Sequence, residues 1–342
     1  MGKRIAGRDG TLDALRGVSI ILVLTAHLTL LGFSPVGGSR AALLIQLAVG
    51  LFYKVVTQVA VPSFYLISLY LYSRKRAVAG PGYFLSRIKR LGAVFGAWVA
   101  VQYVAHWIFV GPAAITLRGI TLGGPSLYGA EASVLYFLFD LILLVAGFEL
   151  LVTMREAGHT RLVEAIAWIA LVGSGVFFAW TDLAGILVDH WLMINFMPYL
   201  AFATLVFLCE RKIPVWVSLA LLAGGVAIDL IAVFRVPGWT IWSLSSYARL
   251  SVVGASLFTW QIIRPRLTVA PGWLGTAGAL SLGIFAVHDF WKYALSGVLE
   301  PLVLSMRFGT VSANLPLAAA VLALTLTSVA ILDRTPLRWM VR

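Results

Sequence analysis

Three ionisable residues lie along one apolar segment near the start of the chain, LDALRGVSIILVLTAH, residues 12–27. Arg16 and His27 are eleven residues apart. On an α-helix this spacing places them within about 20° of one face and roughly 16 Å apart along the axis. Asp13 lies one turn before Arg16 and can form an ion pair with it. An ion pair and an imidazole on one line of a hydrophobic helix indicate a polar path inside a membrane protein.

These residue types suit proton transfer, although a structural interpretation is also open. A neutral imidazole can take a proton from a hydroxyl group near pH 7, which makes His27 a candidate general base. Asp13 and Arg16 can instead form a boundary pair whose charges reach the membrane surface. His27 can likewise be a structural histidine that hydrogen-bonds a neighbouring helix.

The composition predicts an integral membrane protein. Hydrophobic residues make up 61% of the 342 residues, charged residues 12%, and the mean hydropathy is +0.95, whereas a soluble domain is about 25% charged. The length fits one transmembrane domain over residues 1–342. The single cysteine, Cys209, excludes a disulfide bond within the chain. Because no Cys/His cluster has metal-ligand spacing and no glycine-rich phosphate loop occurs, we predict no metal site.

The apolar segments predict an all-α bundle of about ten transmembrane helices, since a span needs about 20 apolar residues. Two further stretches, 41–53 and 292–313, are apolar but have no clear assignment, and Pro62 should kink the second helix. The predicted spans are residues 12–32, 54–72, 91–110, 131–151, 162–180, 191–209, 215–234, 247–263, 274–291 and 314–332.

The basic residues predict the orientation of the bundle. With the N-terminus in the cytoplasm, 18 of the 26 Lys and Arg residues fall in inner loops and four fall in outer loops. This asymmetry predicts that both termini are cytoplasmic. The net charge of +12 is therefore mostly a topology signal, and we predict no nucleic-acid partner. We expect membrane lipids as partners and a multi-pass location in the inner or plasma membrane.

Several motifs resemble the acyltransferase-3 family, whose members are membrane enzymes that O-acylate sugars and other cell-envelope molecules. LDALRG followed by an apolar run to His27 resembles the family's first-helix signature. Arg87 and Arg90 in SRIKRLG match its basic pair at the start of the third helix. Other segments resemble further helices in order along the chain: VAVPSFYLISLYLY (59–72), FMPYLAFATLVF (196–207) and LSLGIFAVHDFW (280–291). The chain departs from the family at ISLYLY, where a Ser-Gly pair is usual, and at SVLYFLFD, where a Trp-Phe pair preceded by His is usual.

The resemblance implies an acyl-CoA donor, most often acetyl-CoA, that binds from the cytoplasm. Arg87 and Arg90 are three residues apart and would share one helix face, where guanidinium groups can hold the phosphates of CoA. Positive-inside charge in contact with lipid headgroups is the alternative interpretation. His27 would act as general base or accept the acyl group itself as an acyl-imidazole. Arg16 would steady the donor, and Asp13 would orient Arg16.

The acceptor implied by the resemblance is a hydroxyl group of a cell-surface carbohydrate or lipid-linked glycan. Candidate substrate contacts are His288, Asp289, Asp140 and Glu131, although a polar packing cluster also accounts for the first two. Two further groups of charged residues have no predicted role in catalysis. We expect positive-inside charges in contact with lipid headgroups at Arg74, Lys75, Arg76 and Lys89, and a solvated outer loop at Asp182, Asp189 and His190.

These observations predict a membrane O-acyltransferase that moves an acyl group, acetyl by expectation, from acyl-CoA to an envelope glycan. A transporter or flippase of a glycan or of an acylated intermediate is the alternative. In that alternative, the intramembrane Asp, Arg and His residues would line a substrate or proton path.

Overall fold

The computed structural model describes residues 9–28, 32–33, 40–127, 132–267, 271–299, 306–308, 311–313 and 315–342. Most of this part of the chain is helical, which agrees with the predicted all-α class. The α-helices are α1 (Gly10–His27), α2 (Arg40–Leu51), α3 (Ala60–Ala79), α4 (Gly82–Phe109), α5 (Leu117–Thr121), α6 (Tyr136–Glu156), α7 (Thr160–Ala184), α8 (Met197–Ala203), α9 (Val215–Arg235), α10 (Leu250–Phe258), α11 (Arg264–Arg266), α12 (Gly272–Ala279), α13 (Ser281–Leu299) and α14 (Leu315–Asp333).

Three very short strands accompany the helices. β1 (Gly32–Phe33) follows α1, and β2 (Met306–Phe308) and β3 (Val311–Ala313) lie between α13 and α14. They form one antiparallel sheet in the order β1-β3-β2, in which Phe33 pairs with Val311. The sheet therefore joins the end of α1 to the segment between α13 and α14, and it accounts for part of the stretch 292–313.

Seven helical segments among the described residues are long and apolar enough to cross a membrane. They are Gly10–His27, Arg40–Ala79, Gly82–Phe109, Tyr136–Glu156, Thr160–Ala184, Val215–Arg235 and Pro316–Asp333. Each overlaps a predicted span. The other three predicted spans, 191–209, 247–263 and 274–291, also fall on helical residues, including the shorter apolar helix Met193–Leu208. The structure thus supports a multi-helix membrane protein, and the count of ten stays a prediction.

The outward surface of several helices suits lipid rather than water. On α7, the large apolar side chains of Ile169, Val172, Val176 and Trp180 are all more than half exposed. Contiguous exposed apolar surface of this kind is rare on soluble proteins. In contrast, α3 lies at the centre of the bundle, where Tyr65, Leu66, Ile67 and Leu69 have no exposed surface.

The stretch 41–53, which had no clear assignment from sequence, continues directly into the second span. α2 leads through a π-helical segment, Phe52–Val56, and a 3₁₀ turn, Thr57–Val59, into α3. The combined helical segment covers Arg40–Ala79. The chain thus departs from α geometry over residues 52–59, shortly before Pro62, and in this stretch the backbone oxygen of Lys54 accepts a hydrogen bond from the side chain of Arg249.

The start of α1 packs backbone to backbone against α12. A side chain at Gly278 would overlap the carbonyl oxygen of Asp13, and one at Gly17 would overlap the carbonyl oxygen of Leu274. Small residues allow this close approach between membrane helices. The contact fixes the position of Asp13 and Arg16 relative to α12 and to the start of α13, which follows it.

Candidate active site

A cavity of about 260 Å³ lies where α1, α3, α4, α6, α12 and α13 meet. Among the described residues, its lining includes five basic side chains and no Asp or Glu side chain. Lys75 and Arg90 are exposed, so they mark the mouth of the cavity. We call this site the basic cavity, and its basic lining consists of Arg16, Lys75, Arg87, Arg90 and Arg342.

The basic cavity brings together the residues that the sequence predicted for the donor. Arg16, from α1, and Arg87 and Arg90, from the first turns of α4, all line it. Arg16 Nη1 lies 3.6 Å from Asp13 Oδ1, which is the ion pair that the spacing predicted. The side chain of Asp13 is mostly buried, so a partner for its charge is required.

The charges of the cavity are incompletely satisfied within the protein. The buried Nε atom of Arg87 has no hydrogen-bond partner among the described residues. Arg90 Nη2 donates to the backbone oxygen of Arg342 at 3.1 Å. The side chain of Arg342 pairs with Asp333, with Nε 2.5 Å from Oδ1. A buried, unpaired guanidinium donor is costly unless a ligand accepts from it, and the geometry therefore suits an anion.

Apolar and hydroxyl side chains form the rest of the wall, which includes two phenyl rings in contact with each other. Phe137 and Phe285 both line the cavity, and their ring centroids are 4.3 Å apart. The ring of Phe285 also lies 6.4 Å from the His27 ring and 5.8 Å from the His288 ring. Neither histidine is among the described residues that line the cavity. Phe285 thus contacts both the cavity and the two imidazoles.

The two histidines form a hydrogen-bonded pair across α1 and α13. His288 Nε2 lies 3.1 Å from His27 Nδ1. His288 Nδ1 faces the backbone oxygens of Phe285, at 2.7 Å, and Ile284, at 3.2 Å. Both ring nitrogens of His288 are therefore engaged inside the protein, whereas His27 is only partly buried.

Asp289 completes a group of three possible metal ligands with this pair. Ligand atoms of His27, His288 and Asp289 all lie within 4.8 Å of one another. Two imidazoles and a carboxylate are a set that can bind Zn²⁺. The sequence did not suggest this grouping, because residues 27 and 288 are far apart along the chain. The prediction that no metal takes part stays a prediction.

Asp140 is a buried carboxylate near several tyrosines. It is 4% exposed, and its Oδ2 atom has no hydrogen-bond partner among the described residues. It acts electrostatically on Tyr65 and Tyr136. Sequence reasoning predicted Asp140 as a substrate contact, and an unsatisfied buried carboxylate is consistent with a ligand at this position. Glu131, predicted with it, lies outside the described residues.

His190 lies near the same tyrosines, in contrast to the solvated loop that we expected. Its ring is 5.6 Å from the ring of Tyr136 and 6.3 Å from that of Tyr247. Burial lowers the pKa of the His190 imidazole to about 4, so it is neutral at physiological pH. Asp182, expected in the same solvated loop, is also buried, at 6% exposed. Both expectations were wrong, because Asp182 belongs to the last turn of α7 and the ring of His190 packs among aromatic side chains.

Two of the expected surface cations have other positions. Arg76 is buried, with Nε 3.0 Å from Glu149 Oε1 and Nη2 2.9 Å from Glu156 Oε2. Glu149 also accepts a 2.6 Å hydrogen bond from the Tyr72 hydroxyl, and Tyr72 lines the basic cavity. Lys75, in turn, is at the cavity mouth. No local sequence signal distinguishes Lys75 from Arg76, because their different surroundings arise from the helix face that each side chain occupies.

Sequence reasoning also missed a second polar centre around Arg249. Arg249 Nη1 lies 2.8 Å from Asp229 Oδ2, and the two residues are 0% and 1% exposed. The guanidinium also donates to Ser246, Gln58 and the backbone oxygen of Lys54 in the π-helical segment. We call these residues the Arg249 cluster. A signal was present in the sequence, because Asp229 and Arg249 are both ionisable residues in or beside predicted spans.

The apolar helices, with buried ionisable residues between them, define a multi-pass membrane protein. The family model of an acyltransferase domain, Acyl_transf_3, matches residues 9–334. The chain therefore belongs to the acyltransferase-3 family, as the first-helix motif suggested, and it is a membrane acyltransferase. No curated protein matches the chain.

Proposed function

We propose that the protein transfers an acetyl group from acetyl-CoA to a hydroxyl group of a cell-envelope carbohydrate or lipid-linked glycan. The observation that carries this proposal is the basic cavity, whose described lining contains five cationic side chains and no Asp or Glu side chain. Family membership supports acyl transfer. The cavity adds a reason to choose a phosphate-bearing acyl donor.

Both ends of coenzyme A match the chemistry of this cavity: the phosphates match its basic side chains, and the pantetheine arm matches its hydroxyl and apolar wall. Its pyrophosphate and 3′-phosphate would accept hydrogen bonds from Arg87 and Arg90, since guanidinium groups bind phosphate through paired N–H donors. Lys75, at the mouth, would add a point charge. The pantetheine arm would extend past the hydroxyl and apolar wall toward Phe285, which contacts His27. Arg16 would hold the donor near the start of this path.

The transfer itself requires one base that later acts as an acid. The imidazole of His27 takes the proton from the acceptor hydroxyl while the oxygen attacks the thioester carbonyl carbon. The tetrahedral intermediate then collapses, the carbon–sulfur bond breaks, and the imidazolium returns its proton to the leaving CoA thiolate. The alternative is a two-step route in which His27 first becomes an acyl-imidazole and the acceptor hydroxyl then attacks it.

The acceptor would reach His27 from the side opposite the basic cavity. Asp140 and Asp289 are buried carboxylates that do not line the basic cavity, and carboxylates accept hydrogen bonds from sugar hydroxyl groups. Glu131 remains a further predicted contact. Asp13 would orient Arg16 through their ion pair.

In this proposal the protein crosses the inner or plasma membrane ten times, and both of its termini are in the cytoplasm. The acceptor glycans lie on the outer side of that membrane. The 18 basic residues on one side support it. Reporter fusions after residue 342 and in the loop around residue 236 should show inside and outside locations, respectively. An outside signal at residue 342 would contradict the ten-span count.

Purified protein in lipid nanodiscs should bind acetyl-CoA and release CoA when envelope glycans are added. The matched control ligand is acetyl-pantetheine, which carries the same thioester without phosphates and should bind much more weakly. With radiolabelled acetyl-CoA, label should appear in the glycan fraction as a base-labile ester. Equal binding of both ligands would contradict the role of the basic cavity. Glycan translocation without any acetyl transfer would favour the transporter alternative.

A further inference from the structure

The hydrogen bonds of His288 determine which of its nitrogens carries the proton. Its Nδ1 atom lies 2.7 Å from the backbone oxygen of Phe285 and 3.2 Å from that of Ile284. Carbonyl oxygens only accept hydrogen bonds, so Nδ1 must be the donor. For a neutral imidazole this leaves Nε2 with a lone pair. His288 Nε2 is therefore an acceptor, and the atom that it faces must donate.

That atom is Nδ1 of His27, at a distance of 3.1 Å. His27 must therefore carry its hydrogen on Nδ1, and its lone pair lies on Nε2. We propose that His288 is a positioning residue that holds His27 in the tautomer whose Nε2 atom serves as the base. This inference rests on the proposed function, because it assigns a role within the same transfer reaction.

The arrangement also explains how the proton would move. The acceptor hydroxyl gives its proton to His27 Nε2, and the resulting imidazolium still donates from Nδ1 to His288 Nε2. That hydrogen bond becomes charge-assisted and therefore stronger. Nε2–H then gives its proton to the leaving thiolate, and His288 ends the cycle unchanged. Besides His288, the charged or titratable groups near His27 in the described part of the chain are His190, Asp289 and Lys292.

This role differs from the substrate contact that the sequence predicted for His288. Its side chain is 0% exposed, and both ring nitrogens already have partners within the protein. A substrate would have to break one of these bonds to reach it. The backbone carbonyls of one turn of α13 thus fix His288, and His288 fixes the base on α1.

Two substitutions at residue 288 separate the two hydrogen bonds. The amide group of Gln reaches about as far as Nε2 of histidine, so His288→Gln can still accept from His27 through its carbonyl oxygen. The amide of Asn reaches about as far as Nδ1, so His288→Asn can keep the bond to Phe285 and loses the bond to His27. Both variants are neutral amides that differ by one methylene group, which makes them a matched pair.

We expect His288→Gln to keep acetyl transfer within about tenfold of the parent, and His288→Asn to lose about 100-fold in kcat, the usual scale for impaired general-base catalysis. The KM for acetyl-CoA should be unchanged in both. Equal activity of the Asn and Gln variants, whether both retained or both lost in folded protein, would overturn the proposal. A loss expressed only in KM would also overturn it, because it would indicate a substrate contact.

A spectroscopic measurement on the parent protein tests the tautomer without any variant at residue 288. The chain has five histidines, and ¹⁵N-histidine labelling in nanodiscs gives a resolvable set of ring nitrogens. The His27 signals are assigned by their loss in His27→Gln. We expect a protonated Nδ1 and an unprotonated Nε2 at His27. A protonated Nε2 would overturn the inference, and so would a metal on Nδ1, seen as bound Zn²⁺ whose removal by a chelator shifts the His27 nitrogens. If the parent transferred no acetyl group, the proposed function would fail, while this measurement would still decide the tautomer.

Discussion

The Arg249 cluster and the basic cavity both place arginines inside an apolar bundle, but they differ in how the donors are satisfied. At Arg249, the Nε, Nη1 and Nη2 atoms all donate to protein acceptors, and Asp229 also accepts from Ser251 at 2.6 Å. In the cavity, Arg87 Nε is buried without a partner among the described residues. The first arrangement needs nothing from outside the protein, whereas the second is complete only with an anion.

This difference indicates that the Arg249 cluster contributes to stability, whereas the basic cavity serves ligand binding. A buried ion pair with all its donors matched contributes to a unique packing, and removal of one partner leaves an uncompensated charge. An unsatisfied arginine is already unfavourable in the free protein, so its removal costs the fold little. We therefore expect substitutions in the two regions to have opposite signatures, with stability affected in one and donor binding in the other.

The largest effect should follow from breaking the Arg249 cluster. Arg249→Met leaves Asp229 buried without its cation, and losses of this kind cost about 3–5 kcal/mol. Unfolding in detergent, followed by helical circular dichroism, should show the loss. The same substitution in the cavity, Arg87→Met, is the matched control and should leave the unfolding free energy nearly unchanged. The double variant Arg249→Met/Asp229→Leu should recover much of the stability. Equal losses at Arg249 and Arg87 would remove the distinction between the two regions.

The next largest effect concerns the base. His27→Gln keeps a donor and an acceptor but cannot take a proton at a useful rate. We expect normal insertion and acetyl-CoA binding with a loss of acetyl transfer of about 100-fold or more. Rates of label transfer to the glycan fraction, normalised to folded protein, provide the measurement. Near-normal transfer would return His27 to a structural role and would point to another base.

Much of the architecture could be predicted from the sequence because it depends on local properties. Hydropathy and length located the helices, and the 3.6-residue period put Arg16 and Asp13 in contact. The π-helical segment before Pro62 was not predictable, since it exists where the Lys54 carbonyl accepts from Arg249. That contact joins residues nearly 200 positions apart, and no period within one helix reports it.

The candidate site shows the same limit. Motifs identified Arg16, His27, Arg87 and Arg90, and the structure brings the three arginines to one cavity. The pairing of His27 with His288 could not be inferred, because it depends on how α1 and α13 pack. The sequence treated Arg76 and Lys75 alike, yet a rotation of about 100° between adjacent helical residues directs one to Glu149 and the other to the cavity mouth.

Donor binding should depend on the paired arginines of α4. The double variant Arg87→Ala/Arg90→Ala removes two charge-assisted contacts, each worth about 1.5–3 kcal/mol, so the Kd for acetyl-CoA should rise by about 100-fold or more, at roughly tenfold per contact. Calorimetric titration of protein in nanodiscs measures the change. The affinity for acetyl-pantetheine should stay the same, because that ligand has no phosphates.

The control for this experiment has to come from cations that do not line the cavity. The sequence alone would suggest Arg74 with Arg76, but Arg76 is in a buried ion pair with Glu149. Arg74 and Lys89 are both exposed and outside the cavity lining. Arg74→Ala/Lys89→Ala carries the same change in charge and should leave the Kd within about twofold, as exposed charges contribute little. Similar losses in the two double variants would mean that general surface charge, rather than the cavity, attracts the donor.

The smallest predicted effect concerns Phe285, which lies between the two functions of the site. Its ring lines the cavity and contacts both the His27 ring and Phe137, so it limits the space available to an acyl chain beside the base. Phe285→Ala removes the ring but keeps the backbone oxygen that accepts from His288. Since the fit of a single methylene group is worth roughly tenfold or more in specificity, the ratio of kcat/KM for butanoyl-CoA to that for acetyl-CoA should rise by about tenfold.

This ratio is independent of the folded fraction, which matters because the substitution also creates a cavity. Phe95→Ala is the matched control, as Phe95 is equally buried on α4 but does not line the cavity. An unchanged ratio in Phe285→Ala, or an equal rise in both variants, would show that acyl length is not selected beside the histidine pair.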